Sequence, residues 1–495
     1  MRYFILLALM AYSPERVQML YNSLDPTSIH EHLAFWELYP ETPEGQKALA
    51  DIKRILTANE VQPLILESDL RPVIEGMVAL VNKPSDQELP VLSEETLRFM
   101  EKLGDSLPHR KLKGHAATSE EEVHKLPVHE IDLARGLFLS ELGAANLPKI
   151  RSYEALLDLM ALQIRARLPA QASDAEKVFE MNRYIFDELG YRFPPHSVYF
   201  EDIDLYTFLP SVMDSRRGVC LGVSILYIAL AQRLDLAFEM VTPPGHIYIR
   251  TKDINIETTA RGVHLDSSVY LGVDTRSLEI RNIKEVIGLA HFNQASTFWR
   301  KEDPKQALVC YERAFPYLKE DKHLLELMAY NYLLNGEEEK AKKYLAIVKD
   351  WIPDHAISVN SVPQDLLDGK ADAEALRSIY KEVDENRRSL LEKKVKIENA
   401  LARCPQFRAG WLSLATTYLQ LHRMKEALHS LEQLDRLDPN DATSQYYLAA
   451  LHAERQNYPA AWQHLHQAEK LTAARNHFPK ALKELRRELA LIYPE

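Results

Sequence analysis

Cysteine is nearly absent from this chain: 495 residues hold three, Cys220, Cys310 and Cys404. An odd, sparse set builds no disulfide framework, and no CxxC pair offers a zinc or redox site. Such usage fits a reducing compartment and points to the cytoplasm. Glycine is scarce too, at 16 residues, which suits a mostly helical protein. Positive charge is in deficit. A formal net charge of −12 excludes nucleic acid or an anionic membrane as a generic partner, and no basic stripe with interleaved aromatics offsets it. No apolar run reaches the roughly 18 residues of a transmembrane segment. The run from Phe4 to Tyr12 has the size of a signal-peptide core, but Ser13, Pro14 and Glu15 after it read as the cap and first turn of a helix. Export through that segment stands as the alternative to a cytoplasmic location. Phosphate-binding loops, a GxGxxG turn, HExxH and acidic calcium loops are all missing, so no cofactor is implied.

What is present centres on Arg216–Thr259. From Val219 to Leu234 almost every residue is apolar or small, the pattern of a buried helix, and Cys220 falls in its first turn. There the free backbone N–H groups, the helix dipole and the neighbouring Arg216 and Arg217 favour a thiolate, and the same N–H groups can hold an oxyanion. Gly222, Val223 and Ser224 begin like a nucleophile elbow, but Ser224 lies inside the helix. Pro243, Pro244 and Gly245 precede His246, which opens a strand through Ile247, Tyr248 and Ile249. A turn at Lys252 and Asp253 returns the chain through Ile254, Asn255, Ile256 and Glu257. If Thr251 pairs with Ile254, His246 lies opposite Thr259, with Glu257 diagonal on the same face and Thr258 pointing away. Cys220, His246 and Glu257 are thus a candidate thiol nucleophile, base and orienter.

These residues carry a resemblance. The segments MNRYIFDELGYRF from Met181, FLPSVMDSRRGVCLGVSILYIALAQRL from Phe208 and PPGHIYIR from Pro243 resemble the transglutaminase-like superfamily. More closely, they are similar to the bacterial SirB-type branch fused to tetratricopeptide repeats. The resemblance implies a papain/transglutaminase-like core in which the Cys helix packs on a small antiparallel sheet bearing His and an acid. Glu257 stands where the superfamily usually has Asp, and Asp235 where a helix-ending Gly is expected. Many members of the branch lack the cysteine; this chain keeps it.

Upstream, the chain reads as helical, with breaks at Pro40 and Pro43. The polar stretch from Leu107 to His129 contains His109, His115, His124 and His129. Their spacing lacks a compact ligand pair, so a solvated loop without metal is expected. An amphipathic helix is expected from Tyr153 to Leu168, and another from Asp174 to Leu189, stopped by Gly190. Downstream, Ala307, Tyr311 and Ala314 recur as Ala341, Leu345 and Val348, and Ala427, Leu431 and Leu434 recur as Ala461, Leu465 and Ala468. The interval is 34 residues in both cases, the tetratricopeptide period. Between them a single long charged helix is expected, roughly from Asp372 to Arg403.

The expected fold is α+β and mostly helical: a papain/transglutaminase-like core, a helix bundle against a small antiparallel sheet, followed by an all-α solenoid. The expected segments are an N-terminal helical region (1–150), a transglutaminase-like domain (151–282), two repeats (283–354), a spacer or degenerate repeat (355–405), and two repeats with a C-terminal helix (406–495). Two functions are open. In one, Cys220, His246 and Glu257 form a hydrolase or acyltransferase acting on an amide or thioester, with the repeats docking a protein or peptide. In the other, the domain is inert and the chain is a scaffold.

Overall fold

A computed structural model describes residues 13–57, 71–194, 206–270, 278–353, 356–384 and 386–494. The apolar run Phe4–Tyr12, together with Pro195, His196, Tyr199 and Phe200, lies outside them. The chain forms two compact units. One comprises Met1–Val241, Ile247–Leu265 and Ile280–Ala290; the other comprises Thr242–His246, Asp266–Glu279 and His291–Glu495.

The first unit begins with helices α1 (Pro14–Asn22), α2 (Ile29–Leu38), α3 (Pro43–Thr57), α4 (Arg71–Val81) and α5 (Glu94–Gly104). Ser13, Ser28 and Ser93 cap α1, α2 and α5, each accepting the backbone N–H three residues on, the bond that satisfies an otherwise unpaired donor. There follow α6 (Glu120–Lys125), α7 (Leu133–Leu142), α8 (Leu147–Arg167), α9 (Asp174–Asn182), α10 (Leu209–Ser215) and α11 (Cys220–Arg233). A Ser173–Glu176 capping box starts α9, a π-turn over Arg183–Glu188 extends it, and Gly190 at φ 69° ends it.

Helices α8 and α11 are the centre of this unit. Leu221 through Ala231 are buried, and so is every residue of α8 from Ser152 to Ile164. Helix α8 is therefore not the amphipathic helix expected. Its polar residues face inward because each finds a partner. Glu154 takes two bonds of 2.6 Å from Arg135, Asp158 one of 2.8 Å from Arg233, and Gln163 bonds Ile29 and Thr27 of α2 and its approach.

A four-stranded sheet has the order β3-β2-β1-β4, with β1 Glu239–Thr242, β2 Tyr248–Thr251, β3 Ile254–Ile256 and β4 Glu279–Arg281. Strand β2 runs antiparallel to both β1 and β3. Thr251 pairs with Ile254, the expected register, and Tyr248, Ile249 and Ile256 are fully buried.

The second unit is helical: the C-terminal part of α12 (Ile283–Arg300), then α13 (Pro304–Ala314), α14 (Lys322–Leu334), α15 (Glu338–Val348), α16 (Val362–Leu367), α17 (Ala373–Tyr380), α18 (Arg387–Arg403), α19 (Arg408–Gln420), α20 (Met424–Leu437), α21 (Ala442–Glu454), α22 (Tyr458–Ala473) and α23 (Lys480–Ile492). Consecutive helices pack as hairpins, α14 on α15, α19 on α20 and α21 on α22. The recurring alanines Ala307, Ala341, Ala427 and Ala461 are all fully buried, where a larger side chain would force the paired helices apart. The turns keep the period as well. Glu302, Gly336, His422 and Gln456 adopt positive φ, and the next residue's N–H in each case reaches back to the carbonyl five residues earlier. The expected long helix from Asp372 to Arg403 is instead α17 and α18, interrupted at Lys381–Asn386. Asp384 there accepts bonds from the Asn386 N–H and the Ser389 hydroxyl, a local turn that competes with helix.

Truncating a buried period position separates packing from propensity. Leu431→Ala costs about 2–5 kcal/mol in chemical denaturation, whereas Lys425→Ala, exposed near the start of the same helix, stays within about 0.5 kcal/mol.

Candidate functional site

Helix α11 presents Cys220 as its first residue, half-buried, while Cys310 is buried and Cys404 half-buried in the other unit. The cap residue is Val219, whose side chain cannot accept, and the first intrahelical bond runs from the Val223 N–H to the Val219 carbonyl at 3.0 Å. The N–H groups of Cys220, Leu221 and Gly222 precede that bond and have no capping side chain among the described residues. The turn is held from behind by backbone. The Val219 N–H donates to the Tyr206 carbonyl at 3.1 Å, and a Cβ on Gly222 would lie 2.2 Å from that same oxygen. Gly218 serves the inside of the turn: a Cβ there would meet the Val223 side chain at 2.6 Å.

The two arginines before the cysteine are used elsewhere. Arg216 caps α10 in the left-handed region and reaches the Leu189 carbonyl at 3.5 Å, and Arg217 lies 3.6 Å from Asp86. Both contacts are long and neither neutralises its arginine fully, so the two charges stand close in sequence to a helix start that is itself positive.

At the other end of α11, Asp235 takes φ 54° where a glycine was expected, and the Leu236 N–H returns to the Ala231 carbonyl at 3.0 Å. Aspartate tolerates this left-handed position, so the stop is preserved.

Glu257 follows β3 and is buried. It caps a 3₁₀ turn, Thr258–Ala260, accepting the Thr259 N–H at 3.1 Å and the Thr259 hydroxyl at 2.5 Å. The β2–β3 ladder runs to the Ile249–Ile256 pair, one residue short of Glu257. Thr258, expected to point away, instead ties the turn to the cysteine helix. Its hydroxyl lies 3.1 Å from the Ser224 hydroxyl and donates to the Cys220 carbonyl at 3.4 Å. Nothing in the period-2 reading of the strand could have found it, because the strand has already ended.

His246 lies two residues before β2 rather than in it. Pro243, Pro244 and Gly245, the last at φ 72°, form a turn closed by the His246 N–H on the Pro243 carbonyl at 3.1 Å. Its ring stacks on Tyr270, with centroids 5.7 Å apart and planes 10° off parallel. The sequence reading did not single out Tyr270.

The histidine-rich stretch is not a solvated loop. Pro108–Lys111 and Lys113–Ala116 are 3₁₀ turns, His109 is fully buried, and His109, His115 and Asp132 bring ligating atoms within 4.8 Å of one another. The surrounding charges decide what this cluster is. Arg110 donates to His115 Nε2 at 2.9 Å and to Asp158 at 2.5 Å, leaving His115 Nδ1 to face Asp132 at 3.2 Å. Arg110, Arg135 and Arg233 balance Asp132, Glu154 and Asp158, so a divalent cation would meet guanidinium at contact distance. The set is a buried ion network, and it anchors the far end of α11 through Arg233. Burial, and secondarily Arg233, push His109 down to about 3. Burial works to raise Asp132, but the His115 bond and the Arg233 charge hold it well below the usual carboxylate range.

Residues 151–271 match the transglutaminase-like superfamily and residues 409–441 the tetratricopeptide repeat, and the chain carries both. "UPF0162 protein" sequences from Xylella fastidiosa strains Temecula1 and 9a5c are 28% identical over 98 residues, 20% of this chain. The chain spans about a third, 34%, of the length of these curated relatives. Among solved structures, a thermophilic tetratricopeptide protein of Thermus thermophilus, TTC0263, is 16% identical, covering 41% of this chain and 97% of that one at a TM-score of 0.22. The tetratricopeptide domain of P58(IPK) is 10% identical, covering 94% and 99% at 0.21. No helix among the described residues is long and apolar enough to cross a membrane.

His109 is neutral when folded down to about pH 3, whereas in the unfolded chain it takes a proton below about 6.5. Its stability contribution is therefore intact above about 6.5 and declines as pH falls, by up to about 1.4 kcal/mol per pH unit. Denaturation of His109→Gln between pH 6.5 and 4 gives a shallower decline than wild type. An unchanged slope contradicts a neutral buried imidazole.

Proposed function

We propose that the transglutaminase-like domain is a cysteine-dependent acyl-transfer or hydrolytic enzyme and that the repeats dock its protein partner or substrate. The observation that carries this reading is the start of α11: a half-buried thiol on a helix whose leading N–H groups have no capping side chain. Cys220 Sγ attacks an amide or thioester carbonyl, forming the S–C bond and passing its proton to His246. The developing oxyanion rests on the N–H groups of the first turn. The C–N or C–S bond then breaks, and His246 returns the proton to the leaving amine or thiol. Glu257 orients the imidazole, and Thr258 fixes the segment that bears it against the Cys220 turn. Water or an amine then releases the acyl group. The sparse free cysteines suit a cytoplasmic setting for such a thiol, and the domain order suits the bacterial SirB-type branch.

A second reading has a specific observation in its favour. Glu257 already caps the turn at Thr259, a local structural role that accounts for its burial without catalysis. On that reading Cys220 is a packed thiol and the chain is a scaffold that recruits partners through its repeats.

Site-resolved alkylation by iodoacetamide, followed by peptide mass spectrometry at neutral pH, separates them. The enzyme reading expects Cys220 to react roughly tenfold or more faster than the similarly exposed Cys404, and His246→Ala to remove most of that excess. A Cys220 no faster than Cys404 and indifferent to His246 supports the scaffold.

A further inference from the structure

The repeat unit contains a groove of about 490 Å³ that no part of the thiol chemistry uses, lying among α12, α14, α17 and α18. Its size is that of a site for a few residues of peptide or a small ligand. Its chemistry is unlike the rest of the chain. Arg377, Lys381, Lys396 and Arg403 line it against two acids, Glu302 and Glu374, a local excess of positive charge in a chain of net charge −12. One wall is apolar: Trp299 meets Tyr380 edge-on at 5.5 Å, beside Leu334.

Two of these cations, Lys396 and Arg403, are available. Lys396 is exposed and has no ion pair among the described residues. Arg403 lies 3.4 Å from Asp372, a long, exposed pair that an incoming carboxylate can replace at little cost, whereas Arg377 is paired with Glu374 and the half-buried Lys381 lies 3.9 Å from Glu302. Lys396 and Arg403 stand two turns apart on α18, on the face that carries Asn399 and Ala400 into the groove. The groove arises because the chain breaks between α17 and α18. A continuous helix over Asp372–Arg403 would run straight through Lys381–Asn386, where the chain instead turns back.

We propose that this groove binds an acidic peptide segment of a partner protein, its carboxylates on Lys396 and Arg403 and an adjacent apolar side chain against Trp299 and Tyr380. The proposal rests on the reading of the repeats as a docking device. A polynucleotide fits less well, because Glu302 and Glu374 interrupt the basic surface and no stripe of cations extends beyond it.

Selection of random dodecapeptides displayed on phage against the full chain tests this. The selected peptides are expected to combine Asp or Glu with an aromatic or aliphatic residue. Their affinity, read by fluorescence anisotropy of a labelled synthetic copy, is expected to fall roughly tenfold or more in Lys396→Glu/Arg403→Glu and to weaken with added salt. The milder Lys396→Gln/Arg403→Gln guards against loss of fold and is expected to fall between that variant and wild type. Selected peptides that are neutral or basic, or that bind both variants as tightly as wild type, overturn the groove while leaving a docking role for the repeats. No selection at all overturns both. Both variants change residues of the repeat unit only, and Cys220 alkylation is expected to be unchanged in each.

Discussion

Burial of α11 on every face is the constraint from which the rest of the first unit follows. A helix of fourteen residues, buried from Leu221 through Ala231, leaves unpaired backbone groups at its two ends. The C-terminal end is closed twice, by the left-handed Asp235 and by Arg233, whose guanidinium bonds Asp158 and the Ala229 carbonyl. That guanidinium in turn requires a buried acid on α8, and the acid requires Arg110 and the His109 segment around it. A large part of the interior is thus an answer to one helix terminus. The other terminus receives no comparable answer. Its N–H groups meet no capping side chain among the described residues and stand beside a thiol, with Thr258 bracing the turn from the end of β3.

That asymmetry is the physical basis of the functional reading. A protein indifferent to the start of α11 gains from a serine or aspartate at the cap, and this chain has Val219. The contrary signal is equally local: Glu257 is folded into its own turn. Whether one carboxylate both caps Thr259 and steadies an imidazole is a question of geometry at a single residue. The repeats carry a groove whose local charge differs from that of the chain as a whole.

Much of this was legible in the sequence where the determinant is local. The 34-residue spacing of Ala307 and Ala341 and of Ala427 and Ala461 reported the buried faces of the repeat helices, and the Thr251–Ile254 pairing followed from a two-residue turn. The position of Cys220 at a helix start followed from where the apolar run begins. What was not legible depends on residues far apart in the chain. Asp158 looks like the solvated face of an amphipathic helix until Arg110, 48 residues before it, and Arg233, 75 residues after it, are seen to enclose it. The histidine stretch looked solvated for the same reason. Thr258 was missed because the strand period was carried past the point where Glu257 ends the strand, and the break between α17 and α18 was missed because helix propensity outweighed the short Asp384–Asn386 turn.

The most direct test of the central claim, that the start of α11 is built to hold an oxyanion beside a thiol, is a crystal structure of the chain carboxamidomethylated at Cys220. The account predicts the adduct's carbonyl oxygen within about 3 Å of the Cys220 or Leu221 N–H. An adduct whose oxygen points to solvent, with those N–H groups bonded to other protein atoms, contradicts it.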